Sequence, residues 1–495
     1  MGKFRGILST LLLFALMLSL LPAVPVWGAK GEVGINEAVN DTRAVSVGSV
    51  SVPSYSGGTS SGWMTYDCGS NLSRGDTGTQ SKMRIVKNTT AAQFNTYVTT
   101  LKNQGYKTLY EKKVPAQSNY NIHHKFLSPD GSHVLYTYFV DAYKETRIIV
   151  DTNRDTLRIY DYKSMGMGSG NGRTEVYMIP ISASPDGFYY DSNYSIYKRD
   201  NAGALMVIKM ADNSLFVVDG GSYVQNSDRD CERIYAFLRR ITDIPEGQKI
   251  YINTWFVTHY HDDHVSGFSR LMYKYNTEFE LQNVMYNFDV VGYSGDNMQI
   301  IGELFPNARY YKQHTGESFK ISDVQIDVLY TVEDLYTPNS SNSLVLDNAG
   351  SMKKSDEENN CSSVLRVSFD GKTMMITGDI YDSDTLLMGM YPAKDLHVDI
   401  LQLPHHAYDN HVTLVKTVAP TISFLHQVEI AARNRQTLYN VNRAWMPYAG
   451  TIYYGNSETV GYCAEEGIFL REPFNEAVDW MDWGNKTWEL DEANP

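Results

Sequence analysis

Cysteine is scarce in this sequence. Four cysteines occur in 495 residues, at positions 68, 231, 361 and 463, and they are far apart and form no C-x-x-C pair. A structural zinc knuckle needs closely spaced thiolates, so the sequence does not support one. If the chain is exported, disulfides are permitted, and four cysteines allow three pairings that the sequence does not rank.

A long basic run is also missing. Lys and Arg number 43 against 57 Asp and Glu, which gives a formal net charge of −14. Phosphate groups are bound mainly by Lys and Arg, so this balance argues against a general nucleic-acid-binding protein. A local basic groove remains compatible with it.

The chain begins with the features of an export signal. Lys3 and Arg5 precede an uncharged apolar run from Ile7 to Leu21, and Val26-Trp27-Gly28 offers small residues near a cleavage point. A membrane anchor is the alternative, but the run is short for a span of about 20 residues. No cysteine stands at its end to carry a lipid. We therefore predict a signal peptide over residues 1–28, a secreted or cell-surface protein, and no transmembrane span after cleavage.

Length and composition divide the rest of the chain. At 495 residues it is too long for one modest core, so two domains plus flexible parts are expected. Residues 29–62 are rich in Gly, Ser, Val and Asn and predict a flexible linker. A glycine-rich segment, Met165 to Gly172, separates a small accessory domain at 63–164 from a larger domain at 175–475.

Periodicity in the first domain predicts a small α+β fold. Residues 89–104 carry apolar side chains at helical spacing between Phe94 and Leu101, with Thr89 as the expected cap. Four strands follow, at residues 107–113, 121–127, 134–142 and 146–150. One helix on a four-stranded antiparallel sheet is therefore expected. His123 and His124 lack a carboxylate at ligand spacing, so they predict a surface strand rather than a metal site. No catalytic set is found in this domain.

Two hairpins of one design organise the second domain. The first, Leu205 to Val218, ends in Asp219-Gly220-Gly221, and the second, Val364 to Thr377, ends in Gly378-Asp379. They predict two related halves whose strand ends converge on one edge, as an αββα sandwich requires. Helices are expected at residues 229–241, 265–275, 297–305, 383–390 and 411–418. The long polar loop at 335–360 is a candidate lid or rim.

The densest chemistry lies at Thr258-His259-Tyr260-His261-Asp262-Asp263-His264, directly after the apolar run from Ile250 to Val257. Imidazole and carboxylate groups are metal ligands, and neither packing nor helix propensity explains why so many of them occur here. In a tight turn, the side chains at 259 and 261 can point one way while those at 263 and 264 reach a second point nearby. The motif therefore predicts a site for two ions. An exposed loop without metal is the alternative.

This H-x-H-x-D-H order, its preceding strand and the Val265-Ser266-Gly267 that follows resemble the metallo-β-lactamase superfamily, over about Glu175 to Leu470. The resemblance implies the same αββα sandwich and a centre with two ions. It also implies that His259 and His261 bind the first ion and that Asp379 bridges the two ions. The second ion would be bound by Asp263, His264 and His405. His406 competes with His405 for the last place, and His405 is preferred because it comes first after its strand.

The match to the superfamily is incomplete at one place. Many members carry a further His shortly before the second hairpin, where this chain has Glu358-Asn359-Asn360-Cys361-Ser362-Ser363. The first ion is then one ligand short, and Asn360, Cys361 or His314 is a candidate to fill the position. This absence and the His405-His406 pair are features of the branch that holds competence-type DNA-uptake nuclease domains and secreted choline-phosphate esterases.

Together these features predict a metal-dependent hydrolase. Two divalent ions, Zn²⁺ in the first place with Mn²⁺ or Fe²⁺ as alternatives, lower the pKa of a shared water, so a metal-bound hydroxide is the expected nucleophile. The resemblance implies that Asp263 and His264 take part in catalysis. Asp219 either orients a ligand His or is an ordinary turn residue before two glycines.

The predicted substrate rests on indirect features. A two-metal site suits phosphodiesters, and export together with the branch resemblance favours an extracellular or cell-wall substrate, a small molecule or a polymer. The first domain is the candidate for contact with the wall. A lactamase or another ester or amide hydrolase is the alternative enzyme. A wall-binding or partner-binding protein that has lost activity is the alternative from another class, and the missing His favours it.

Overall fold

The computed structural model describes residues 45–47, 50–65, 81–151, 157, 171–180, 204–221, 228–288, 292–336, 358–427, 444–455 and 458–473. The predicted signal peptide, residues 165–170 of the glycine-rich segment and residues 337–357 of the polar loop lie outside the described residues. Within the described ranges, no helix has both the length and the apolar character needed to cross a membrane.

A helix and an antiparallel sheet form the first part of the described chain. After the short hairpin of β1 (Val45–Val47) and β2 (Val50–Val52), the strands of this sheet are β3 (Thr59–Ser60), β4 (Met64–Thr65), β5 (Lys82–Lys87), β6 (Lys107–Pro115), β7 (Tyr120–Leu127), β8 (Val134–Val140) and β9 (Glu145–Asp151). Their order is β3-β5-β9-β8-β7-β6, with β4 beside β5. Helix α1 (Ala91–Asn103) follows β5 in the chain. The predicted helix and four strands are present, and the sheet is larger than predicted because β3, β4 and β5 join it.

Helix α1 is held by its cap and by one apolar face. Thr90, not Thr89, is the cap: it forms a capping box with Gln93, in which each side chain accepts a hydrogen bond from the other residue's backbone. Its buried face is the predicted one, Phe94, Tyr97, Val98 and Leu101. Val52 and Tyr55 belong to the same core. The packed region therefore begins before residue 63, inside the segment that composition assigns to a linker, because two apolar side chains are enough to dock that segment.

Two larger sheets form the rest of the described chain. The first contains β10 (Glu175–Met178), β11 (Leu205–Lys209), β12 (Leu215–Asp219), β13 (Ile250–Phe256), β14 (Phe279–Met285), β15 (Arg309–Tyr311), β23 (Glu458–Cys463) and β24 (Gly467–Pro473), in the order β15-β14-β13-β12-β11-β10-β23-β24. The second contains β16 (Ser318–Ile321), β17 (Val324–Tyr330), β18 (Val364–Phe369), β19 (Lys372–Ile376), β20 (Ile400–Gln402), β21 (Ile422–Leu425) and β22 (Thr451–Tyr454), paired in chain order.

The two large sheets face each other across an apolar core, and helices cover the outside. In β12, Phe216 and Val218 belong to the core between the sheets, with Val367 of the second sheet, whereas Leu215 and Val217 point to the helix side. The helices are α2 (Asp228–Thr242), α3 (Asp262–Lys274), α4 (Gly292–Leu304), α5 (Asp384–Met390), α6 (Ala393–Leu396) and α7 (Val412–Val418). Helix α3 contacts β12 and α2 contacts β13. The predicted αββα sandwich is confirmed.

Each large sheet contains one of the two predicted hairpins. Strands β11 and β12 pair antiparallel, and β12 then runs parallel to β13. Strands β18 and β19 repeat this arrangement with β20 in the second sheet. Neighbouring parallel strands end at the same edge of a sheet. The segments that follow β12, β13, β19 and β20 are therefore brought to one edge of the sandwich, and these segments carry the predicted ligands.

Buried ion pairs join the first sheet to the sandwich. Lys125 of β7 contacts Glu317 at 3.1 Å, and Asp151 of β9 contacts Lys312 at 2.7 Å, with all four side chains at most 7% exposed. Arg147 of β9 donates hydrogen bonds to backbone carbonyls of the turn that follows β17. The contact between these parts of the chain is thus desolvated and specific.

His123 and His124 lie on β7 and are buried, so the prediction of a surface strand is wrong. His123 stacks on Tyr138 with ring centroids 5.4 Å apart, and burial lowers the pKa of His123 to about 3. Burial also lowers the pKa of His124 to about 4. The strand is not at the surface because both faces of β7 are covered, one by α1 and the other by the sandwich. Neither residue belongs to a metal-binding group among the described residues.

The cysteines do not form a disulfide in the described part of the chain. Cys231, Cys361 and Cys463 are buried and are not disulfide-bonded, and Cys68 lies outside the described residues.

Candidate metal centre

The H-x-H-x-D-H motif leaves β13 and turns directly into helix α3. His261 occupies the N-cap position, so Asp263 and His264 project from the first helical turn and not from the loop that the sequence predicts. The helix approaches the end of β12 closely, since the backbone N–H of Gly267 donates to the carbonyl of Gly221 at 2.8 Å. A Cβ on Gly267 would lie 2.5 Å from the Gly220 carbonyl oxygen. Glycine at 267 therefore allows the motif to sit against the first hairpin.

The second hairpin delivers Asp379 through another close approach. Gly378 has a φ of +55°, and a Cβ there would lie 2.7 Å from the Thr258 side chain. The backbone N–H of Asp379 donates to Ser362 Oγ at 2.9 Å, and Gln402 Oε1 accepts from the N–H of Gly378 at 2.8 Å. Gln402 and Ser362 were not identified from the sequence, because only the folded chain brings them beside the hairpin end.

After β20 the chain makes a tight turn at Pro404–Ala407, in which His405, His406 and Ala407 have φ values of 47°, 49° and 57°. The turn points His406 into the cluster and His405 away from it. His405 Nδ1 instead pairs with the Asp409 carboxylate, and its Nε2 accepts from Asn359 Nδ2 at 3.1 Å. The preference for His405 is therefore corrected to His406. Counting from the strand end failed because consecutive left-handed residues reverse the direction in which side chains leave the backbone.

Two groups of candidate ligands share one carboxylate. In each group the ligand atoms lie within 4.8 Å of one another; the groups are His259, His261 and Asp379, and Asp263, His264, Asp379 and His406. The structure thus brings together the predicted residues His259, His261, Asp263, His264 and Asp379, with Asp379 common to both groups. His259, His264, Asp379 and His406 are buried, whereas Asp263 and His261 are partly exposed.

Three of the imidazoles are anchored through Nδ1. His264 Nδ1 donates to Asp219 Oδ2 at 2.8 Å, and His406 Nδ1 donates to the backbone carbonyl of His426 at 3.1 Å. His259 Nδ1 contacts Thr258 Oγ1 at 3.1 Å, and this hydroxyl in turn donates to Asp219. Each of these rings therefore presents Nε2 to the cluster. Of the two roles predicted for Asp219, the structure shows the one in which it orients a histidine of the cluster. The His426 carbonyl is an anchor that the sequence did not suggest.

The interior of the cluster has the donor set that a divalent cation requires. His259 Nε2, His406 Nε2 and Asp379 Oδ1 are buried and make no hydrogen bond. Buried polar atoms without partners are costly, and here they belong to the neutral nitrogens and carboxylate oxygens that bind zinc-like ions. The residues present therefore fit the binding of divalent metal.

Electrostatics within the cluster also favour positive charge. Although burial opposes it, Asp379 and Asp219 raise the pKa of His264 well above its usual value. Asp379 and Asp263 likewise overcome burial and raise the pKa of His406 to about 9. Protons on these two imidazoles and a divalent ion are thus alternative ways of balancing the buried carboxylates.

His259 behaves in the opposite way. Burial, followed by repulsion from His264 and His261, lowers the pKa of His259 well below its usual value. Its ring is therefore neutral at any pH near neutrality, as a ligand must be.

None of the residues proposed to replace the missing His lies in either group. Asn360 Oδ1 accepts from the backbone N–H groups of Tyr381 and Ser383, at 3.1 and 2.9 Å. Cys361 is fully buried in the apolar core. His314 pairs with the Glu333 carboxylate and stacks on Tyr136 with ring centroids 4.3 Å apart. The carboxylate that does face the first group is that of Glu358, 3.1 Å from His261 Nε2.

No protein-family model matches the sequence, and no curated protein is similar to it. Several solved structures are distantly similar. The metallo-β-lactamase fold protein YhfI from Bacillus subtilis aligns at 11% identity over 61% of this chain and 98% of its own, with a TM-score of 0.32. Tm1679, a metal-dependent hydrolase of the β-lactamase superfamily, aligns at 14% identity over 57% of this chain and 96% of its own, with a TM-score of 0.30. The short form of human tRNase Z aligns at 13% identity over 51% of this chain and 91% of its own, with a TM-score of 0.26. The fold and the site described above rest on the strand order and side-chain contacts of this chain itself.

Proposed function

We propose that the chain is a metal-dependent hydrolase with a two-ion centre. The observation that carries this proposal is the pair of ligand groups that share Asp379 at the edge of the sandwich. Three buried atoms of these groups lack any hydrogen-bond partner. The first ion is assigned to His259, His261 and Asp379, and the second to Asp263, His264, Asp379 and His406. Two divalent ions held by these residues would supply an activated water near neutral pH and would neutralise charge that develops on the reacting oxygens.

The residues of the chain orient this centre and open it on one side. Asp219 and Thr258 fix His264 and His259 from behind, so these rings do not need to reorganise when substrate binds. His261 and Asp263 are each more than a fifth exposed, whereas the other ligands are buried. Substrate therefore reaches the centre from the side of His261 and Asp263.

A phosphodiester outside the cell is the substrate class that we propose. Two ions that share a carboxylate suit an in-line displacement at phosphorus, because both the attacking and the leaving oxygen can be stabilised. The predicted export signal supports an extracellular or cell-wall location, and Zn²⁺ is the preferred ion for a donor set of imidazole and carboxylate groups. Lactam, lactone and thioester hydrolysis are the alternatives within the same chemistry.

The test combines metal analysis with a substrate panel. Protein purified without chelator is expected to hold close to two ions per chain and to cleave an aryl phosphodiester faster than an aryl phosphomonoester, a β-lactam or a thioester. His397→Ala is the control variant, because His397 is exposed and outside both ligand groups. It should match wild type in metal content and in these rates. Two ions with cleavage of a lactam alone would reassign the substrate. A chain that takes up no metal would instead favour a binding protein without hydrolytic activity.

A further inference from the structure

His261 differs from the other imidazoles of the centre in the nitrogen that is anchored. His259, His264 and His406 are each held through Nδ1 and present Nε2. In His261 the anchored atom is Nε2, which lies 3.1 Å from Glu358 Oε2. A carboxylate accepts hydrogen bonds and does not donate them, so this contact places the proton of the ring on Nε2. The nitrogen left free on His261 is Nδ1.

We propose that Glu358 is a positioning residue of the metal centre, which holds His261 so that Nδ1 binds the ion shared with His259 and Asp379. This inference rests on the proposed two-ion centre. Ligating imidazoles usually donate their second N–H to a carboxylate or a carbonyl, which fixes the ring and makes the ligating nitrogen more basic. Glu358 supplies that partner to the one imidazole that neither Asp219, Thr258 nor the His426 carbonyl reaches.

The backbone that follows Glu358 is tied to two other parts of the chain. The Asn360 side chain accepts from the N–H groups of Tyr381 and Ser383 just after Asp379. The N–H of Ser363 donates to the carbonyl of Thr258 at 2.9 Å, which ties the same segment to the start of the motif. The segment from 358 to 363 therefore bridges the two parts of the chain that supply the first ion's ligands, and this position makes Glu358 a built part of the site.

The geometry favours an orienting carboxylate over a direct ligand. The ligand atoms of His259, His261 and Asp379 lie within 4.8 Å of one another, and Glu358 is not a member of that group. Its carboxylate is at hydrogen-bond distance from a ring nitrogen and is 21% exposed. A three-ligand group gains most from an orienting partner, because the more basic Nδ1 compensates in part for the ligand that is missing.

The experiment compares Glu358→Ala, Glu358→Gln and the matched control Glu246→Gln, whose carboxylate is exposed beyond the opposite end of β13. Ions retained per chain are measured against graded chelator. In Glu358→Ala the more weakly held ion should leave at about 10–100-fold lower chelator strength, as expected for loss of an outer carboxylate, while the other ion leaves as in wild type. Glu358→Gln keeps an acceptor oxygen, so its weaker ion should leave at a chelator strength between those of wild type and Glu358→Ala. The control Glu246→Gln should match wild type.

A second measurement separates positioning from ligation and from general damage. Saturating metal should restore turnover of Glu358→Ala but not of His261→Ala. Among the zinc-coordinated histidines, long-range ¹H–¹⁵N spectra should show one with its proton on Nε2, and its signal should disappear in His261→Ala. Release of both ions from Glu358→Ala at wild-type chelator strength overturns the inference. If both Glu358 variants lose the first ion and saturating metal does not restore it, the positioning role is also overturned, and Glu358 is instead a direct ligand. A wild-type chain that binds no metal overturns the proposed function itself, which separates that failure from the other two.

Discussion

The carboxylate of Asp219 accepts a hydrogen bond from His264 Nδ1 at 2.8 Å, and both side chains are at most 1% exposed. Asp219 adopts a φ of +55° at the end of β12, an uncommon conformation for a residue with a side chain. The same carboxylate accepts from the backbone N–H of Thr258 at 2.8 Å. One residue of the first hairpin therefore holds the start of the motif and one of its ligands, which links the fold of the first half to the metal centre.

Asp219→Asn should weaken the second ion without unfolding the protein. The amide keeps the size of the side chain, but its neutral oxygen cannot balance the imidazolium or raise the basicity of His264 Nε2. We expect metal affinity at the group of Asp263, His264 and His406 to fall by about 10–100-fold. Chelator titration with separate counting of the two ions measures this. Loss of neither ion, or weakening of the first ion alone, would show that Asp219 does not act through His264.

His405 and His406 make a matched pair for the corrected assignment. His406→Ala removes an imidazole whose Nε2 lies 3.3 Å from Asp263 Oδ2 and 3.4 Å from Asp379 Oδ2, so the second ion should be lost. His405→Ala removes a ring that contacts Asn359 and Asp409, so the protein should retain both ions. Metal content after dialysis measures the difference. The reverse result would restore His405 as the ligand.

Local patterns in the sequence were sufficient for most of the fold. Alternation and turn residues predicted the strands of both hairpins to within one residue. The motif supplied four of the candidate ligands that the structure brings together, and the end of the second hairpin supplied the fifth, Asp379. These features work because they depend on neighbours in the chain. The helical start at Asp262 was not predicted because the candidate ligands overlap the first turn of α3, and no local signal separates a ligand from a residue of that turn.

The features that were missed depend on contacts between distant segments. Whether His405 or His406 faces the cluster depends on consecutive residues in the left-handed backbone conformation. Histidine and alanine do not indicate that conformation in a sequence. Glu358 meets His261 across 97 positions of sequence. The burial of His123 and the docking of Val52 and Tyr55 likewise follow from surfaces that meet only after folding. Each of these requires the packed chain.

Affinity for the second ion should rise with pH. The raised pKa of His264 and the pKa of about 9 for His406 mean that both rings carry protons at pH 7 in the metal-free protein, and an ion must displace them. Each displaced proton makes the binding constant fall about tenfold for every unit of pH lowered below the pKa. His259 is already neutral, so it releases no proton to the first ion. Calorimetry in buffers of different ionisation enthalpy counts the protons released. Release of none at pH 7 would contradict this charge balance.

The contact between the first sheet and the sandwich should contribute substantially to stability. Arg147 is 4% exposed and donates to the carbonyl oxygens of Glu333 and Tyr336 at 2.5 and 2.9 Å. Arg147→Ala removes both of these buried hydrogen bonds and should lower the free energy of unfolding by about 3 kcal/mol. Lys102→Ala is the control, because its pair with Glu111 is exposed on both sides and should cost less than about 1 kcal/mol. Urea denaturation measures both. Equal effects would mean that the contact does not couple the two parts.

This contact changes what removal of the first domain is expected to do. Composition and the lack of catalytic residues predict that a chain without residues 63–162 keeps turnover of small substrates. The structure argues against that outcome, because the deletion would leave Lys312 and Glu317 without the partners that neutralise them in a buried position. We expect the shortened chain to be poorly soluble or to unfold at much lower urea than the full chain. A shortened chain that is stable and fully active would restore the original view of an independent accessory domain.

Substitution of His261 gives the most direct test of the motif. His261 caps α3 without a side-chain hydrogen bond to the helix, and its side chain is 25% exposed. In the metal-free protein, His261→Ala removes only the contact with Glu358 and should change the free energy of unfolding by no more than about 1 kcal/mol. It removes one of three ligands of the first ion, and hydrolysis of an aryl phosphodiester should fall to the background rate with about one ion retained per chain. His397→Ala, at an exposed position outside the centre, should match wild type in rate, metal content and stability. Wild-type turnover by His261→Ala, measured after metal analysis of the same sample, would remove the first ion from the mechanism.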